Sequence, residues 1–448
     1  MDPATVKPGR CAELPVHNPL GDRLVEMLDQ GESLAAIFPV VKAMAGQFAE
    51  QDRIRCSKTK DAFEDGSRSE RELLALFHTI NRKTLRSLVL GFLAVDLHRE
   101  GAKNWENVYA PNGSGTYVIA VSIKDRDGMF LNRWENKELA VRVDRYARAC
   151  AVWAKIKDSY GQQSQVEPQE ADLLRQAMEI DNELLVKKNQ EWSQGDRFKE
   201  PKCWSGRGGT ANAEALVQML ARRRDRAFDA GVFQAQSPVY VGCAHQVKKR
   251  MLAHDPDLGS LAGSSSMLKL SLACIRSMSL RPLVTSIPLV MVWEEDQIPL
   301  AEILVTVLAQ SLISLHGFNI VQPGTNAGID ERITDHYRSA MEHVWLERPW
   351  FRENLEKSIA DLSGGKVYEE AVESIGTDRL SADGLRGAAR EIAALEDEVR
   401  SVNADLQEGL EATEQRNEEL ERYNALMDEV LKTGSGLFPA PPPSSGEG

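Results

Sequence analysis

No Cys-x-x-Cys pair occurs among the six cysteines of this chain, which stand at positions 11, 56, 150, 203, 243 and 274. Scattered thiols of this kind argue against a structural zinc site and a disulfide framework, and they fit a reducing compartment. Also missing is an apolar run long enough to span a bilayer. The two richest stretches are residues 283–293, which are too few, and 300–315, which Glu302 and Gln310 interrupt. The opening Met1-Asp2-Pro3-Ala4 has no basic n-region and no apolar h-region, so no secretory signal is expected. The glycine-rich piece Ser205-Gly206-Arg207-Gly208-Gly209-Thr210 lacks the Gly-Lys-Ser/Thr ending of a phosphate-cradling P-loop and has no strand before it. It reads as a linker and helix cap, with Thr210 as the capping side chain. These absences describe an intracellular protein, cytoplasmic or nuclear, with no membrane partner and no zinc or nucleotide motif.

Charge is unevenly spread. The net charge is −13 over 448 residues, yet residues 391–430 alone hold thirteen Asp/Glu against three Arg. Residues 201–255 run the other way, with nine Lys/Arg against four Asp/Glu. A locally basic surface attracts phosphate, although a charge run such as Arg222-Arg223-Arg224 is equally readable as the solvated end of a helix.

Apolar periodicity organises the chain as an α+β multidomain protein. Residues 1–165 read as a mainly helical domain with one short strand, Thr116–Val121, entered through the turn Asn112-Gly113-Ser114-Gly115. Residues 166–227 form a helical linker region. Residues 228–328 make a small α/β module. In it Gly231-Val232-Phe233 and Val239-Tyr240-Val241 pair as a hairpin, and the fully apolar Leu283–Trp293 is its buried central strand. Residues 329–380 are a helical extension. From 384 to 432, Leu385, Ile392, Val399, Leu406, Leu420 and Met427 recur every seven residues. That spacing predicts an acidic coiled coil that makes a homo-oligomer or takes a partner helix; a long helix folded back on the N-terminal unit fits the broken middle heptads. The Pro/Ser/Gly-rich tail, 433–448, is expected to be disordered.

The stretch with most chemical content is Tyr240-Val241-Gly242 followed by a basic helix carrying Arg250 and then His254, with Gly317-Phe318-Asn319 further on. In order and spacing these residues resemble the second half of the GIY-YIG endonuclease motif, over about residues 228–328. The resemblance implies a small α/β fold in which strand tyrosines and a helix arginine converge on one scissile phosphate. A glutamate on a later helix would hold Mg²⁺ or Mn²⁺. Carried over residue by residue, Tyr240 is the second-strand tyrosine, Arg250 the helix arginine, His254 the histidine four residues on and Asn319 the asparagine that ends the module. Phe233 stands where the first-strand tyrosine belongs. Leu312-Ile313 lacks the usual glutamate three residues before it, which leaves Glu302, two helical turns earlier, as the metal ligand.

Phosphodiester cleavage needs a deprotonated nucleophile, charge stabilisation at phosphorus and assistance to the leaving oxygen. Without the first hydroxyl and the usual carboxylate, the expectation is a DNA- or RNA-associated protein with a weak or inactive metal-dependent endonuclease module. The other expectation is a non-catalytic scaffold whose coiled coil does the main work. The two separate on Arg250→Ala, which affects only the first.

Overall fold

The computed structural model describes residues 17–51, 54, 56–100, 113–157, 166–184, 197–203, 209–224, 231–255, 261, 264–324, 334–377, 404, 407, 411–422, 424 and 425. The chain divides into two compact units, Met1–Ser363 and Gly364–Gly448.

The first unit opens with six helices: α1 (Pro19–Asp29), α2 (Leu34–Ala49), α3 (Ser57–Ala62), α4 (Arg68–His78), α5 (Arg82–Leu90) and α6 (Leu93–Glu100). Their ends are written locally. Asn18, Ser33, Ser67 and Asn81 each accept a backbone N–H of the first turn, satisfying donors that the helix leaves without a partner. Gly91, at φ 73°, ends α5 in the left-handed conformation that glycine adopts without strain. Strand β1 (Gly115–Ile123) follows, then α7 (Arg133–Ile156), α8 (Pro168–Asn182) and α9 (Gly209–Arg222). A capping box between Asn132 and Glu135 starts α7. Next come β2 (Val239–Ala244), α10 (Val247–Ala253), α11 (Ser266–Ser277), β3 (Pro282–Met291), α12 (Gln297–Ala309), α13 (Thr334–Glu347) and α14 (Pro349–Thr377). The α+β class holds: among the described residues the chain is helix-rich and carries one small antiparallel sheet.

That sheet has the order β2-β1-β3, so β1 is central. All nine β1 residues are buried, and its alternation sends them to two cores. Val118 and Ala120 join Val239, Val241, Ile287 and Leu289 in a core shared with α1, α2, α4, α5 and α12. Tyr117, Ile119 and Val121 face the other way, into a core with α7, α8, α9 and α11.

Three expectations need correction. Residues 231–233 do not pair with β2; its partner is β1, in the register Gly115↔Ala244, Tyr117↔Gly242, Ile119↔Tyr240. The apolar run at 283–293 does form a strand, but β3 is an outer one: Leu283 is 45% exposed, whereas β1 is covered on both faces. The sheet is also not contained within 228–328, because its central strand comes from 115–123.

The heptad seam of 384–432 lies mostly outside the described residues, and the 433–448 tail wholly so. Of it, residues 411–422 are helical and exposed. Among the described residues, no helix is long and apolar enough to cross a membrane, and the described cysteines are free thiols.

Candidate functional site

The pairing of β1 with β2 sets two tyrosines on one face. Tyr117 lies directly across from Gly242, and Tyr240 across from Ile119, so by the two-residue strand period both phenols project from the same side. The glycine is required by its neighbour: a Cβ at position 242 would stand 2.4 Å from the Tyr117 hydroxyl oxygen. On its other edge β1 changes register against β3 between Gly115 and Tyr117, an irregularity of the kind that re-aims a side chain.

Immediately after β2 the chain turns into α10. Ser114 donates its hydroxyl to the His245 carbonyl (2.9 Å) and the Val247 N–H donates to the Gly113 carbonyl (3.1 Å), tying the start of α10 to the entry of β1. Arg250 and His254, four apart, share a helix face. His254 is fully buried and its Nε2 lies 2.7 Å from the Tyr117 hydroxyl, while Nδ1 contacts the Ser264 hydroxyl. The imidazole also packs on both tyrosine rings, with centroids at 5.3 Å for Tyr117 and 5.8 Å, edge-on, for Tyr240.

Burial dominates the electrostatics of the face. Burial, then the charges of Arg250 and Lys269, pull the His254 pKa down to about 4, so the ring is neutral at pH 7. Burial pushes the Tyr117 pKa far up and Tyr240 raises it further; Arg250 opposes both by charge and hydrogen bonding. Tyr240 is pushed up to about 12 by burial first and the Glu302 charge second, again against Arg250. A guanidinium only donates. The Tyr117 oxygen therefore accepts from Arg250, and its hydroxyl also shares hydrogen bonds with His254 Nε2 and with Tyr240.

Of the residues expected at the site, Tyr240, Arg250 and His254 come together. Asn319 is next to them but works on the backbone. Its Nδ2 donates to the Val241 carbonyl (2.8 Å) and its Oδ1 accepts the Val241 N–H (2.9 Å), so the amide pairs with the outer edge of β2 as another strand would. Phe233 is elsewhere: the Arg126 guanidinium carbon sits 4.0 Å over its ring, and it packs beside Val95, Met129 and Ala235. The place beside Tyr240 belongs to Tyr117 instead. A glycine two residues before a strand tyrosine, in Gly115-Thr116-Tyr117, was the signal for it; its distance along the chain from Tyr240 hid the link. Ser264 and Lys269 carried no sequence signal at all.

Glu302 does not fit a metal ligand for this face. It lies on α12, which packs in the Val118/Val241 core, and it is buried. Its Oε2 accepts the Gly324 N–H at 2.8 Å, and it shares a hydrogen bond with the Cys243 thiol. By strand alternation Cys243 points away from Tyr240, so the carboxylate is turned to the opposite side of the sheet. Burial raises its pKa, against the Gly324 N–H, Cys243 and Lys58. Glu72, Glu294 and Asp296 gather close enough to share an ion, but Arg68 bridges all three. No protein-family model, no curated protein and no solved structure matches this chain.

Proposed function

We propose that the half-exposed end of the tyrosine face, at Tyr240 and Arg250, binds a phosphodiester, and that the protein is nucleic-acid-associated, with a GIY-YIG-like site of weak or no cleavage activity. One observation carries the reading. Tyr117 stands opposite the glycine of Tyr240-Val241-Gly242, hydrogen-bonded to His254 and acted on by Arg250, which completes the tyrosine pair that sequence proximity alone left unfilled.

Each group has a part that follows from its protonation. Arg250 offers fixed positive charge to a phosphate oxygen. Tyr240, protonated at neutral pH, donates a hydrogen bond. Tyr117, buried and hydrogen-bonded to both His254 and Arg250, positions the guanidinium beside Tyr240. The exposed Lys248 and Lys249 widen the basic approach. A bound Mg²⁺ or Mn²⁺ would neutralise charge at the phosphate. Glu302, the carboxylate that the motif offered, is turned away, so the site is read as binding first and cleaving weakly.

The test is binding of labelled single-stranded DNA, duplex DNA and RNA at two salt concentrations. Arg250→Ala is expected to weaken binding about tenfold or more, the magnitude of a lost charge-assisted hydrogen bond. Cleavage with Mg²⁺ or Mn²⁺ is expected to be slow or absent. Equal affinity of the variant and the parent, or no salt-sensitive binding at all, rejects the reading and leaves the scaffold function.

A further inference from the structure

Away from the tyrosine face, a cavity of about 40 Å³ lies where α1 and α5 meet the segment leading into β2. Its lining includes Asn18, Asp22, Arg223, Gln236, Ser237 and His316. Three of these are unusual together. Arg223 is only 2% exposed, and its polar contacts are a carbonyl and an amide: Nε donates to Gln234 Oε1 (3.3 Å) and Nη2 to the Gln236 carbonyl. Burial alone acts on its charge and pulls its pKa down to about 9, with no carboxylate opposing it. Ser237 is 4% exposed and its hydroxyl has no hydrogen-bond partner. The Nδ1 of His316 is likewise buried and unpartnered. Asp22, the acidic residue of the lining, is half exposed at the rim and pairs with His17 at 3.9 Å.

A buried guanidinium without a counter-charge is costly, and buried polar atoms in native proteins almost always have partners. The orphaned hydroxyl, the orphaned imidazole nitrogen and a guanidinium whose partners are two neutral groups and the Phe130 ring, 5.8 Å from its carbon, line one cavity. On the scale where one water needs roughly 10–15 Å³, that space holds about three waters or one tetrahedral oxyanion. We infer that this cavity is a binding site for a small tetrahedral oxyanion, phosphate or sulfate, held by the charge of Arg223 and by hydrogen bonds from Ser237 and His316. Arg222, whose Nη2 donates to the Ser314 carbonyl (2.9 Å), adds positive potential beside it. The same two arginines act with burial to pull the His316 pKa down to about 3, the field an anion would relieve.

The experiment is a titration of the full chain with sodium phosphate and, separately, sodium sulfate. The melting temperature is followed at ionic strength held constant with sodium chloride. A ligand that binds only the folded state gives a saturable rise. Arg223→Gln risks the fold, so Ser237→Ala and His316→Ala carry the test: neither side-chain atom holds a bond in the fold, and both variants should melt like the parent in chloride. Each is expected to raise the half-saturating anion concentration about tenfold. Arg250→Ala, on the other site, should leave it unchanged. No saturable rise in the parent overturns the inference. So does a rise that survives both cavity variants, or one abolished by Arg250→Ala alone, which would place the anion on the tyrosine face.

Discussion

At the scale of single residues, the tyrosine face is determined by who can stand next to whom. Gly242 is the tightest case. A methyl group there would overlap the Tyr117 hydroxyl, and the phenol has no room to yield because His254 and the buried core enclose it. Gly242→Ala should therefore cost about 1–3 kcal/mol by overpacking, read from urea unfolding, and should weaken nucleic-acid binding with it. Stability equal to the parent would mean that Tyr117 moves freely. His254 makes a second expectation, in pH. Its folded pKa is near 4 and its unfolded value near 6.5, so between those values the unfolded chain carries the proton and the folded one does not. Stability is then complete above about pH 6.5 and falls as pH drops toward 4, by about 3 kcal/mol from this residue. His254→Gln should flatten that part of the slope in unfolding curves at pH 7 and pH 5, leaving the part due to His316 and His78, whose pKa values burial also lowers. An unchanged slope would show that the ring is already charged in the fold. Tyr240, Arg250 and His254 were legible because they fall within fifteen positions on a strand and the helix after it. Tyr117 was not, since nothing local ties a Gly-x-Tyr triplet to a strand more than a hundred residues later.

At the scale of elements, existence was easier to read than pairing. The Val/Ile-rich run after Asn112-Gly113 is plainly a strand, and β1 covers it. Which strand it joins depends on burial: of the three strands β1 alone is buried along its whole length, which makes it the central partner, whereas proximity in the chain favoured a hairpin of 231–233 with β2 that does not form. The outer edge of β2 shows how such a strand is kept in place. Its Val241 N–H and carbonyl point away from β1 and are both taken by Asn319, so the strand carrying Tyr240 and Gly242 is anchored on two sides. Removing the amide leaves two buried backbone groups without partners. Asn319→Ala should cost about 2–4 kcal/mol, and exchange of the Val241 amide hydrogen should quicken selectively. Asn319→Asp keeps an acceptor and loses the donor to the Val241 carbonyl, and is expected to fall between the two. If exchange at Val241 is no faster in Asn319→Ala, the asparagine is not what holds the edge.

At the scale of the whole molecule, the sheet joins parts of the chain that composition and periodicity assign to different domains. Composition detects changes of local texture, helical before 165 and strand-rich after 228. The strand at 115–123 is visible in that texture, but its pairing with β2 and β3 is not, because its partners are specified by two cores rather than by neighbours. This has a direct consequence for any fragment. Residues 228–328 contain β2 and β3 but not the strand between them, and among the described residues both pair only with β1. Two outer strands without their centre expose Val239, Val241, Ile287 and Leu289, all of which are buried in the intact unit. Lone strands with unpaired edges are not stable in water. Residues 228–328 expressed alone should therefore lack cooperative thermal unfolding and the strand signal in circular dichroism, and should not bind nucleic acid. Residues 17–363, which keep β1, should unfold in one transition and retain whatever binding the full chain has. A cooperatively folded 228–328 fragment would show that the module assembles without Tyr117, and the tyrosine pair would then lose its claim to be the organising feature of the site.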